Sequence, residues 1–69
     1  MNQDHKEFVI DFIKKNDKNS KGVKNTEIAT AMAEKFGLKP RQVESLLTEM
    51  CFLFSDLYEP TSNNYRVVE

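Results

Sequence analysis

At 69 residues, with 39% hydrophobic residues, 30% charged residues and a formal net charge of −1, the chain has the composition of one small globular domain. Folding at this size buries only about 60% of the unfolded surface, which leaves little room for an elaborate catalytic cleft. No long apolar run and no signal-peptide pattern are present, and the single Cys51 excludes an internal disulfide and suits a reducing compartment.

The charge is unevenly spread. Residues 1–41 carry nine Lys or Arg against six Asp or Glu, a net of +3, and residues 42–69 carry one Arg against five acids, a net of −4. A partner responds to such local fields more than to the near-zero total.

In chain order, residues 1–3 are expected to lie outside regular structure. An amphipathic helix is predicted over residues 4 to about 15, with Phe8, Val9, Phe12 and Ile13 as its buried stripe and Asn2 or Asp4 as its cap. His5 falls at the edge of that stripe, where a packed ring is expected, and it has no second ligand nearby to make a metal site. Residues 16–22 read as a polar loop. Lys14, Lys15, Lys18, Lys21 and Lys24 lie in or beside it against the single Asp17. This is either a solvated loop or a weak phosphate contact. Val23 alone is too little for a strand, although one or two residues there would suffice to close a small sheet.

Asn25 or Thr26 is expected to cap a second helix whose apolar side carries Ile28, Ala29, Met32 and Phe36, with Glu27 in its first turn. Gly37 suits the left-handed residue that ends a helix, and Pro40 suits the first turn of the next. That third helix repeats Val43, Leu46, Leu47 and Met50 at i, i+3, i+4 and i+7, and is predicted to end between residues 51 and 53. Lys39 is a poor cap for it, and Phe52 would project from its outer face. Residues 55–59 and 65–69 then read as two β-prone runs around a turn cluster at 60–64, a hairpin with Leu57, Tyr65 and Val67 inside and Pro60 at its edge or in its turn. The predicted fold is therefore α+β, a single winged helix-turn-helix domain over 1–69 with three helices, a C-terminal hairpin and a possible short strand at Val23.

The chemistry of an enzyme is missing from the sequence. There is no phosphate-binding Gly loop, no His-Glu-x-x-His, no Cys/His cluster and no nucleophile with a base. A non-catalytic chain with no cofactor, no metal, no membrane contact and no small-molecule substrate is expected. Two binding readings stand. In one, Arg41 and Gln42 reach base edges of duplex DNA, Ser45 or Thr48 meets phosphate, and Lys21, Lys24 and Arg66 add charge. Glu44 and Glu49 border the same face and oppose that use. In the other, Tyr58 with Glu49, Asp56 and Glu59 receives a basic amphipathic helix from a protein partner.

The segments Phe8-Val-Ile-Asp-Phe-Ile-Lys-Lys, Lys21-Gly-Val-Lys-Asn-Thr-Glu-Ile-Ala, Leu38-Lys-Pro-Arg-Gln-Val and Asp56-Leu-Tyr-Glu-Pro-Thr-Ser-Asn-Asn-Tyr-Arg carry a resemblance to winged-helix domains. Within that group the chain most resembles the C-terminal domain of the middle subunit of replication protein A and the related subunits of telomere-capping (CST-type) complexes. The resemblance implies a protein-docking module for helical segments of replication and repair factors, with nucleic acid touched weakly or indirectly. It extends the docking set to Asp56, Tyr58, Glu59 and Thr61. It also implies a nuclear location and a larger parent subunit, so that Met1 need not be the native start; a small DNA-binding regulator of phage or bacterial origin would instead act in the cytoplasm. Where the family usually has a Gly between the third helix and the first wing strand, this chain reads Leu53-Phe54-Ser55.

Overall fold

Three helical periodicities and three short strand segments settle into one arrangement. The computed structural model describes residues 3–69, and places α1 at Gln3–Asn16, β1 at Val23–Lys24, α2 at Asn25–Phe36, α3 at Pro40–Phe52, β2 at Leu57–Thr61 and β3 at Asn64–Val67. Gln3 belongs to α1 rather than to a leading tail. Met1 and the proposed Asn2 cap lie outside the described residues.

Each helix buries its predicted stripe. Val9 and Ile13 of α1, Ile28 and Met32 of α2, and Val43, Leu46, Leu47 and Met50 of α3 meet in a single core with Val23, Leu57 and Tyr65 from the strands. The aromatic residues of α1 and α2 close one side of it. Phe8 stacks on Phe12 at 6.0 Å and meets Phe36 edge-on at 5.5 Å. The His5 ring packs against Phe36 at 4.4 Å, as its place beside the stripe predicts.

The helix starts depart from expectation. Neither Asn25 nor Thr26 caps α2; Lys24 occupies the cap position in an extended conformation and supplies no side-chain bond. The reason is tertiary. Lys24 is held in β1 opposite Asn64, and the Asn25 N–H that begins the helix donates to the Asn63 carbonyl at 2.8 Å. The hairpin turn thus satisfies a donor that a capping side chain would otherwise take. At α3, Lys39 is indeed a poor cap, but Gln42 reaches back and its Oε1 accepts the Lys39 N–H at 2.8 Å, one half of a capping box.

The sheet is antiparallel with order β1-β3-β2, so the two residues at Val23–Lys24 do form the short closing strand, paired with β3 through Val23–Tyr65 and Lys24–Asn64. The turn is tighter than the cluster at 60–64 suggests. Pro60 and Thr61 belong to β2 and Asn64 to β3, which leaves Ser62 and Asn63 as the turn, with Asn63 at φ 65°. Between the Tyr58–Arg66 and Thr61–Asn64 pairs the register slips. Glu59 and Pro60 there face Tyr65 alone, a bulge on an edge strand, where a residue without an N–H is tolerated. Three helices with this three-stranded sheet make an α+β fold compatible with a winged helix. Among the described residues no helix is long and apolar enough to cross a membrane.

Two left-handed positions carry measurable consequences. Gly22 has φ 91°, and a Cβ there would stand 3.0 Å from the Tyr65 carbonyl oxygen and 3.2 Å from its nitrogen. Ser55, between α3 and β2, has φ 59° without being glycine. Gly22→Ala is expected to destabilise the fold by about 2 kcal/mol or more, from backbone strain and a clash with immovable main chain. Ser55→Gly is expected to stabilise it by about 0.5 kcal/mol, the strain relieved less the added freedom of the unfolded chain. Urea midpoints at unchanged m-value measure both.

Candidate interaction surface

The hairpin is fixed to the helical layer by a polar clamp. Asp17, just past the end of α1, accepts a hydrogen bond on Oδ2 from Arg66 Nε at 2.6 Å and on Oδ1 from the Gly22 N–H at 3.0 Å. Arg66 in turn donates through Nη1 to the Tyr58 hydroxyl at 2.9 Å, and its guanidinium lies 5.9 Å from the centre of the Tyr58 ring. The side chains of Asp17 and Arg66 are only 9% and 27% exposed. The Arg66 hydrogen bond holds the Asp17 carboxyl below its ordinary value of 3.8, against the opposing effect of burial. The same bond raises the Arg66 guanidinium further above its already basic value. Arg66, a candidate nucleic-acid contact by sequence, is thus committed to Asp17.

Most of the candidate docking residues are also engaged within the chain. Asp56 sits 3.0 Å from Lys6 Nζ, and that ammonium lies 4.2 Å over the Phe54 ring. The backbone of Asp56 bonds to Met50 on one side and Val68 on the other, at 2.7 and 2.9 Å. Glu59 Oε2 accepts the Asn63 N–H at 2.9 Å, and Thr61 Oγ1 accepts from Asn64 Nδ2 at 2.7 Å, so both brace the hairpin turn. Tyr58 is exposed but holds Arg66. Glu49 stands exposed on the outer face of α3.

The candidate DNA-reading residues of α3 share their surroundings with carboxylates. Arg41, Gln42 and Ser45 line an open recess of about 440 Å³ together with His5, Leu38, Leu46 and Glu49. Ser45 and Thr48 line a second, of about 290 Å³, with Glu44 and Glu49. Lys21 and Lys24 are exposed around β1. Burial, and then the Glu59 carboxylate, raise the half-buried Cys51 thiol. Burial, and then the Glu59 carboxylate, also raise the Tyr65 phenol.

Among the described residues no three His, Cys, Asp or Glu side chains converge where a metal could sit. What the sequence reading missed is apolar. Phe52 is 81% exposed, Leu53 69%, and Phe54 stands partly open beside them. The outward direction of Phe52 was legible from the helical period, but the continuation of the patch through Leu53 was not. No family model, curated protein or solved structure matches the chain.

The clamp makes part of the stability acid-sensitive. Because the folded Asp17 pKa is depressed, its contribution is complete above the ordinary value of 3.8 and is lost as pH falls through the lower folded value. Asp17→Asn is expected to lower the urea midpoint at neutral pH and to flatten the fall in stability on acidification. Denaturation series of both proteins between about pH 7 and pH 2 check the sign.

Proposed function

We propose that this chain is a non-catalytic winged-helix docking module that receives a basic amphipathic helix of a protein partner on the acidic face of α3 and the hairpin. The observation that carries this reading is the charge of that face. Glu44 and Glu49 line the outer side of α3, and Arg66 is drawn away to Asp17. Duplex DNA carries one negative charge per about 1.7 Å of its axis, and affinity for it comes chiefly from neutralising phosphates. A helix that places two carboxylates beside Ser45 and Thr48 opposes that contact, whereas cationic side chains of a partner helix complement it. The sequence resemblance supports a setting in a replication protein A-like or telomere-associated single-stranded-DNA-binding complex, with a nuclear location.

Reading of duplex DNA by residues 40–51 is the competing function, favoured by exposed Arg41, Lys21 and Lys24. Amide shift mapping with two titrants separates the two. A synthetic Lys-rich amphipathic helix is expected to shift amides of α3 and β2, and Glu44→Lys with Glu49→Lys is expected to slow its association by about tenfold at low salt. Shifts at Lys21, Lys24 and Arg41 on adding a mixed-sequence duplex, with none from the peptide, would overturn the docking reading.

A further inference from the structure

We propose that Phe52 and Leu53 are the apolar anchor of this docking surface, and that the partner helix lies along the outer side of α3 with its cations over Glu44 and Glu49. The inference rests on the docking reading above and places its energetic centre away from Tyr58.

The exposure of these two side chains is built in by the backbone. Val43, Leu46, Leu47 and Met50 take the inner side of α3. Phe52 comes two residues after Met50, about 200° further around the helix, and so faces outward. The N–H groups of Leu53 and Phe54 both donate to the Glu49 carbonyl at 2.9 Å, and the Asp56 N–H returns to the Met50 carbonyl at 2.7 Å. The helix end is therefore closed, and Phe52 and Leu53 are held out on a fixed support rather than on a loose loop. An anchor already in place loses little freedom when it is covered.

The neighbours of this pair specify the chemistry of the occupant. Glu44, Thr48 and Phe52 follow one another at i, i+4 and i+8 along a single row, and Glu49 precedes Phe52 by three residues. Glu44, Ser45, Thr48 and Glu49 share one open recess, and Phe52 follows Thr48 by one turn of the helix. The last turn of α3 has no basic residue, and a helix C-terminus carries about half a negative elementary charge. Lys6, the cation near Phe54, is paired with Asp56. An apolar knob at the end of an acidic row fits a helix that presents aliphatic side chains with Lys or Arg beside them.

The test uses the intact chain and a synthetic helical peptide with Leu at i, i+3, i+4 and i+7 and Lys at the flanking positions. Amide shifts are expected to centre on residues 48–54. The Phe52→Ser/Leu53→Ser double variant, checked for an unchanged thermal melt, is expected to weaken peptide binding by about tenfold or more. Val68→Ser, which removes another exposed apolar side chain, is expected to bind as the parent does. Parental affinity in the double variant, with the loss found instead in Tyr58→Ser, would overturn this placement and leave the docking reading intact. No peptide shift anywhere would overturn both. Self-association of the parent in sedimentation, abolished by the double variant, would make a second copy the occupant and overturn the proposal in that way.

Discussion

The hydrogen-bonded ion pair between Asp17 and Arg66 is the contact on which the placement of the hairpin depends. It joins the loop after α1 to the central strand of the sheet, across 49 residues of sequence. The same Asp17 carboxylate takes the Gly22 N–H, and Gly22 lies close enough to Tyr65 that no side chain fits between them. The clamp therefore sets the approach of the polar loop, and hence of β1, to β3. Once β3 is fixed, its turn supplies the carbonyl that receives the first N–H of α2. One charge pair, shielded from water on the Asp17 side, thereby connects the end of the first helix, all three strands and the start of the second helix. The geometry combines an ion pair with further hydrogen bonds to both partners, the condition under which a partly desolvated pair gives back what desolvation takes.

Helix existence and the inner faces were legible because the apolar periods at residues 8–13, 28–36 and 43–50 are strong and local. The short strand at Val23 was legible only as a possibility, since its partner Tyr65 lies near the other end of the chain. Capping failed for α2 because the donor to be satisfied found a carbonyl in the hairpin, a tertiary solution that no local rule anticipates. The pairing of Arg66 was missed for the same reason. A lone Arg in an acidic half and a lone Asp in a lysine-rich loop each invite a functional reading when seen separately, and each is the other's counter-ion. Opposite oddities of charge in distant segments are a signal for pairing that a pass along the chain does not weigh.

The same logic thins the candidate docking set. Asp56, Glu59 and Thr61 each have an internal hydrogen-bonding or ion-pairing task that accounts for the residue type at that position. Engagement does not prevent contact with a partner, because a carboxylate has several acceptor sites. It does mean that the presence of these residues carries little evidence for a partner. Glu44, Glu49, Phe52 and Leu53 are different, since all four are exposed and none of them enters the buried core among the described residues.

Local departures from the usual rules of folding are informative when they gather in one place, because a foldable sequence otherwise keeps its levels consistent. Here three gather at the end of α3. The helix closes without a basic residue to complement its dipole. Two large apolar side chains face solvent immediately after a well-buried stripe. The chain then turns through a left-handed Ser55, a conformation that glycine would take more easily. Each departure alone is a small destabilisation with an ordinary explanation. Together they produce a negatively biased, apolar projection outside the buried core, which is the surface that the proposed partner helix would cover.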